Sequence, residues 1–112
     1  MQITVSEALE ALREREGKIF AELFRHGSMS VEIYRPEGND MQQPHAQDEI
    51  YVIISGRGVF QNGTIQHPFE AGDVLFVPAG VEHRFLEFSA DFKTWVIFYG
   101  PKGGELRQPA GA

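Results

Sequence analysis

The stretch from Gly72 to His83 reads GDVLFVPAGVEH, and its turn residues decide how the chain around it folds. A turn at Ala71–Asp73 precedes the apolar run Val74–Val77, whose β-branched and aromatic residues favour a strand. Pro78-Ala79-Gly80 predicts a second turn, because proline fixes φ and glycine tolerates positive φ. A new strand is therefore expected to begin at His83.

The alternation of short apolar runs and turn residues continues on both sides of this stretch. Asn62-Gly63 is a strong signal for a two-residue hairpin, because both positions tolerate positive φ. Further turns are predicted at Arg25–Gly27 and Pro36–Asp40. Many short strands with regular turns predict an all-β fold, an antiparallel β-barrel or sandwich. The predicted strands are Lys18–Phe24, Ser28–Tyr34, Glu49–Ser55, Arg57–Gln61, Thr64–Phe69, Val74–Val77, His83–Phe88 and Phe92–Tyr99.

One segment near the N-terminus, residues 6–16, has a helical pattern. Ser6 is the predicted N-cap, acidic residues occupy the first turn, and Gly17 is a stop signal. The apolar residues form only a narrow stripe, so the helix is expected to lie across the outside of the domain. The predicted organisation is a helical region at residues 1–17, a β-barrel at residues 18–100 and a flexible tail at residues 101–112.

Composition and charge narrow the functional classes. A chain of 112 residues fits one ordinary domain. The formal net charge is −6 and the few lysines are scattered, so nucleic acid, which requires clustered basic residues, is not an expected partner. Apolar runs are far shorter than the ~20 residues that span a bilayer, and Met1–Glu7 lacks a signal-peptide pattern. These features predict a cytoplasmic protein that does not contact membranes.

The segment QPHAQDE, residues 43–49, carries candidate metal ligands. Side chains alternate along an extended chain, so Gln43, His45 and Glu49 are expected to share one face. If the strand that begins at His83 pairs beside this one, an amide oxygen, a carboxylate and two imidazoles converge. That donor set suits one divalent transition metal ion, namely Mn, Fe, Co, Ni, Cu or Zn. The residue types also allow an alternative, in which the same side chains form a satisfied polar cluster.

The spacing of these residues resembles the first motif of the cupin superfamily. In that motif a His-x-His pair is followed after three or four residues by Glu, and after six more by Gly. His45, Glu49 and Gly56 match this spacing. Gln43 stands where the first histidine of the pair occurs.

The stretch quoted at the outset resembles the second cupin motif. Gly72, Pro78, Gly80 and His83 match it, and Glu87 stands in place of the motif's Asn. The resemblance covers residues 40–99 and implies a jelly roll, or double-stranded β-helix, with the metal ligands Gln43, His45, Glu49 and His83.

Gln43 departs from the motif because it stands in place of a histidine. Its amide oxygen is a weaker donor than imidazole for late first-row ions. The remaining two histidines and one carboxylate suit non-haem Fe(II), with open positions for O₂ or substrate. Tyr51 and Phe85 share strand parity with the ligands and are expected to fill the barrel. Glu87 has the same parity and is a candidate acid or base, with pairing to a buried arginine or a place at the rim as alternatives.

Three functional hypotheses follow from the resemblance. The first is a dioxygenase-like metal enzyme that acts on a small organic substrate. The second is a non-catalytic module that binds a metal or a small ligand, and the third is a cupin isomerase or lyase. A homodimer is expected too, because the strand Glu49–Ser55 is apolar on both faces and its outer face needs a cover; the helix and N-terminal strands of the same chain are the alternative cover.

Overall fold

Two antiparallel β-sheets enclose the core, and one helix lies outside them. The computed structural model describes residues 1–17 and 19–106. Its elements are α1 (Val5–Arg13), β1 (Phe20–His26), β2 (Met29–Tyr34), β3 (Asp48–Ser55), β4 (Arg57–Asn62), β5 (Ile65–Glu70), β6 (Val74–Val77), β7 (His83–Phe88) and β8 (Lys93–Tyr99). One sheet has the strand order β1-β2-β8-β3-β6, and the other has the order β5-β4-β7.

The predicted all-β fold with one short helix is confirmed, and each predicted strand forms with small shifts at its ends. Lys18, the expected first residue of the first strand, lies outside the described residues. The hairpin between β4 and β5 pairs Asn62 with Ile65. The two loop residues are therefore Gly63 and Thr64, one position later than expected, and Gly63 takes the positive φ of 62°.

The helix is shorter than the sequence pattern predicted and begins one residue earlier. Thr4, and not Ser6, is the N-cap, and its side chain accepts a hydrogen bond of 3.1 Å from the backbone N–H of Glu7. Ala8 and Leu12 are buried against the outer face of the five-stranded sheet, where they join Ala21 and Ile33. The expectation that the helix packs outside the barrel therefore agrees with the structure.

Aromatic side chains fill the space between the two sheets. The ring of Phe85 lies with its centroid 4.7 Å from that of Phe60 and 4.6 Å from that of Phe92. Tyr51 packs edge-on against Phe85 at 5.0 Å. Tilted and edge-on pairs at these distances add stability beyond the area that they bury. Tyr51 and Phe85 thus fill the barrel as expected.

A bulge in β7 reverses the direction of its last side chains. In the pairing with β4, Phe60 lies opposite Phe85 and Val59 lies opposite Glu87, which leaves Leu86 as an extra residue. One extra residue moves every later side chain to the other face. Strand parity favoured a place for Glu87 beside the barrel interior, with the rim as an alternative, but after the bulge Glu87 is exposed on the outside.

The helix covers only part of the outer face of the five-stranded sheet. Ile54 packs with the helix cluster. Farther along, Ile50 lies between Phe76 and Ile97 and is only half-buried. Phe76 is 48% exposed and Val74 is 65% exposed. We call this region, formed by Ile50, Val74, Phe76 and Ile97, the outer apolar face.

Part of the predicted tail is bonded to the barrel. The N–H of Gly103 donates to the carbonyl oxygen of Ala46 at 2.7 Å, and the N–H of Glu105 donates to Oδ2 of Asp48 at 2.8 Å. Residues 107–112 lie outside the described part of the chain. Within that part, no helix is both long and apolar enough to cross a membrane.

Candidate metal centre

Three of the four predicted ligands meet in the barrel interior. His45 lies in the loop before β3, Glu49 is near the start of β3, and His83 is the first residue of β7. One candidate ligand atom from each lies within 4.8 Å of the other two. β3 and β7 belong to different sheets. The side chains therefore converge across the barrel, and not from two strands paired side by side as expected.

Glu49 and His83 are almost completely removed from water. Both side chains are 1% exposed, and Nε2 of His83 lies 3.1 Å from Oε1 of Glu49. The other ring nitrogen, Nδ1, lies 2.9 Å from the carbonyl oxygen of Val81. Because a carbonyl oxygen only accepts, Nδ1 carries the hydrogen. In the neutral ring, Nε2 then carries a lone pair that is directed at Glu49.

The atoms that face one another in this centre are acceptors without donors. Nε2 of His83 and both carboxylate oxygens of Glu49 have no hydrogen-bond partner among the described residues. Buried polar atoms are satisfied in the large majority of cases, so these three require a cation between them, either a proton or a metal ion. Two imidazole nitrogens and one carboxylate are donors that suit a divalent transition metal.

The two imidazoles respond to this environment in opposite directions. Burial is the main cause that lowers the pKa of His45, and the attraction of Glu49 opposes it only in part. For His83 burial also disfavours the charged ring, but the nearby carboxylate of Glu49 and the carbonyl oxygen of Val81 outweigh it and raise the pKa above its usual value of 6.5. A metal ion that binds Nε2 of His83 therefore competes with a proton for the same lone pair.

The two loops that carry the ligands are hydrogen-bonded to each other. The N–H of Gly80 donates to the carbonyl oxygen of His45 at 2.8 Å. The N–H of Ala79 donates to Oδ1 of Asp48 at 2.9 Å. Gly80 has a φ of 78°, which L side chains rarely adopt. The Pro78-Ala79-Gly80 turn thus fixes the loop before β3 relative to His83.

The fourth predicted ligand, Gln43, lies in the loop before β3. Residues 41–45 form a loop without regular structure, so the alternation of an extended strand does not apply to them, and Gln43 is exposed. The amide at the centre belongs to Gln42. Its Oε1 lies 3.3 Å from Nε2 of His45 and accepts a hydrogen bond of 3.1 Å from the hydroxyl of Tyr51. Coordination by Gln43 stays a prediction.

Asp40 orients Gln42, and sequence reasoning assigned no role to either residue. The carboxylate of Asp40 accepts from the backbone N–H of Gln42 at 3.1 Å and from its Nε2 at 3.0 Å. It also accepts from the hydroxyl of Tyr34 at 2.7 Å and from the N–H of Phe85 at 2.9 Å. The only sequence signal was an acidic residue at the end of a turn-rich loop, which is common on surfaces.

A cavity of about 520 Å³, here called the side cavity, lies beside His45. Its apolar wall includes Phe20, Met41, Val96 and Phe98. Its polar groups include Glu32 and Gln42. The ring of Phe98 lies 4.8 Å from that of His45, so this wall continues into the metal centre. A larger surface cleft of about 770 Å³ includes Glu87 but none of the three converging ligands.

Comparison with known proteins agrees with the observed fold. The family of cupin domains matches residues 30–97. An uncharacterized protein of Streptomyces coelicolor is 37% identical over 98 residues, which cover 86% of this chain and 93% of that protein. A cupin 2 conserved barrel domain protein of Salinispora arenicola has a similar fold, with a TM-score of 0.63 and 17% identity over 89% of this chain and 87% of that one.

Two relatives with named activities match over shorter segments. The acireductone dioxygenase of Leishmania infantum is 37% identical over 68 residues, or 55% of this chain and 20% of that protein. The oxalate-binding protein of Thermotoga maritima is 32% identical over 74 residues, or 66% of this chain and 54% of that protein. The chain therefore spans only a fifth and about half of these two relatives.

Proposed function

The chain belongs to the family of cupin domains, and on that premise we propose that it is a metal-dependent enzyme, dioxygenase-like, that acts on a small organic substrate. The observation that carries the proposal is the set of buried acceptors at Glu49 and His83, which have no donor among the described residues. A metal ion satisfies all of them at once.

His45, Glu49 and His83 are the residues that would hold the ion. His45 is available as a ligand because burial lowers the pKa of its ring and so favours the neutral form. Nε2 of His83 is directed inward by the hydrogen bond from Nδ1 to the carbonyl of Val81, a partner of the kind that orients ligand histidines. Gln42 is proposed as the amide nearest the ion, and Gln43 remains the alternative that the motif favours.

A bound divalent metal in this donor set supplies a Lewis acid with open positions for O₂ or a substrate oxygen. The chain's own residues position the substrate and exclude water. The apolar wall of the side cavity, including Val96 and Phe98, holds the body of the substrate beside His45. Tyr51 and Asp40 hold Gln42 in place from two sides, so its amide oxygen stays directed at the centre.

The partial match to an acireductone dioxygenase is the specific observation that favours oxygen chemistry. Metal content of the purified protein and of His45→Ala and His83→Ala tests the site. We expect metal loss in both variants and full occupancy in His26→Ala, because His26 is exposed at the end of β1 and does not belong to the converging group. Full occupancy in both site variants would contradict the assignment.

Oxygen uptake with small enediol and aromatic compounds then tests the reaction. Uptake that requires the metal and is lost in His83→Ala supports the proposed enzyme.

The match to an oxalate-binding protein favours a second candidate function, a non-catalytic module that binds a small ligand. In that case the metal-loaded protein binds oxalate in calorimetry and consumes neither oxygen nor ligand. Turnover of any compound in the screen would exclude this second function.

A further inference from the structure

Glu32 is a carboxylate inside the barrel to which the proposed metal centre assigns no task. On β2 it lies opposite Val96 of β8 and opposite Glu22 of β1. Val96 belongs to the core between the sheets, so Glu32 is on the inner face. Its side chain is half-buried and lines the side cavity together with His45.

The surroundings of Glu32 stabilise the negative charge of its carboxylate only weakly. Burial is the main cause that raises its pKa, and the carboxylates of Glu22 and Glu49 add to the effect. Arg25 acts in the opposite direction, but its guanidinium is hydrogen-bonded to Glu22 at 2.7 Å. Glu37, a second acidic residue, also lines the cavity. Among the described residues that line it there is neither lysine nor arginine.

A purely structural role does not account for this position. The strand neighbour Val96 is apolar, and an apolar residue opposite it would pack without the desolvation cost that a half-buried carboxylate incurs. A cavity with apolar walls and acidic groups but no basic side chain among its described lining residues matches a ligand with an apolar body and one cationic or hydrogen-bond-donating group. Such a group supplies the positive charge that the described surroundings of Glu32 lack.

We propose that Glu32 binds the amino group of the substrate, and that the substrate class is a small organic amine with an apolar body, in preference to a carboxylate or a phosphate. This inference rests on the proposed function, because the side cavity opens onto the proposed metal centre. Glu32 is thereby a specificity-determining residue. The proposed substrate class also implies that the oxalate named for one relative is not the ligand of this chain.

Benzylamine and benzoate are the probes, because they share an aromatic body and differ in the sign of their charge. Each is titrated into the full chain loaded with Zn²⁺, and binding is followed by the chemical shifts of backbone amides around Val96 and Phe98. The same titrations use Glu32→Gln and the matched control Glu87→Gln, whose carboxylate is exposed on the other sheet.

We expect the wild type to prefer benzylamine to benzoate. Glu32→Gln should weaken benzylamine binding about tenfold or more, the change expected for the loss of a charge-assisted hydrogen bond, and should strengthen benzoate binding. Glu87→Gln should bind both probes as the wild type does. Preference for benzoate in the wild type, or an unchanged benzylamine affinity in Glu32→Gln, would overturn the proposal.

Metal content and a repeat without metal separate this inference from the proposed function. If the protein binds no metal but keeps a Glu32-dependent preference for benzylamine, the inference stands and the metal enzyme fails. If metal binds as proposed and the preference is absent, the inference alone fails.

Discussion

Asp40→Ala should destabilise the fold and weaken the metal centre together. The side chain is buried, with 2% of the residue exposed, and it accepts hydrogen bonds from the hydroxyl of Tyr34 and the N–H of Phe85. Both donors are buried, so water cannot replace the lost acceptor. Each donor left unsatisfied costs about 1–3 kcal/mol, so we expect the free energy of unfolding to fall by about 2–6 kcal/mol.

The same substitution releases Gln42, which is bonded to Asp40 through both its backbone N–H and its Nε2. Loss of a contact that orients groups at a metal centre typically lowers affinity about 10–100-fold. We therefore expect the dissociation constant for Zn²⁺ to rise by that factor, although Asp40 is not a proposed ligand.

Two measurements check these effects separately. Urea unfolding of the metal-free protein gives the free energy of unfolding, and competitive chelator titration without denaturant gives the affinity for Zn²⁺. Tyr34→Phe is the matched control, because it removes one donor to Asp40 and leaves the bonds to Gln42 intact. We expect it to cost only about 0.5–1.5 kcal/mol, with unchanged metal affinity.

The reasoning is refuted if Asp40→Ala costs less than Tyr34→Phe, or if its Zn²⁺ affinity equals that of the wild type. The first result would mean that the buried donors find other partners. The second would mean that the orientation of Gln42 does not matter to the centre.

Three further predictions address the amide, the carboxylate in the cavity and the assembly. Gln42→His should raise the affinity for Zn²⁺ in chelator titration, because imidazole is a stronger donor than an amide oxygen. If Gln43→His raises the affinity and Gln42→His does not, the result supports the motif's assignment of Gln43. Because the folded state raises the pKa of Glu32 above 4.5, the contribution of Glu32 to the stability of the wild type falls as pH rises through and above that value. Glu32→Gln should therefore be more stable than the wild type in urea at pH 7 and equal to it well below pH 4.5, and equal stabilities at pH 7 would tell against this. A homodimer is predicted to form through the outer apolar face, so the protein should sediment as a dimer at micromolar concentration and Phe76→Lys as a monomer; a monomeric wild type would remove this prediction.

Local sequence signals were sufficient for the strands, because each strand is bounded by residues whose backbone preferences act within a few positions. The Pro78-Ala79-Gly80 turn and the hairpin after Asn62 form near where they were expected, although the hairpin loop begins one residue later. The start of the helix was predicted at the wrong residue, because Thr4 is also a residue type that caps helices well and it accepts the capping hydrogen bond from Glu7.

The sequence by itself predicted that His45, Glu49 and His83 form a set, because their spacing matches the two cupin motifs, and their ligand atoms converge in the structure. The tertiary structure decided that the amide of Gln42 accompanies these three residues and that the carboxylate of Glu87 does not. Gln42 is directed inward by Asp40, whose own position depends on a bond to Phe85, 45 residues farther along the chain. Glu87 is directed outward by a bulge that exists only in the pairing with β4. Strand parity predicts a side chain's direction only while the backbone is extended and its pairing regular, and both conditions are set by contacts with distant parts of the chain.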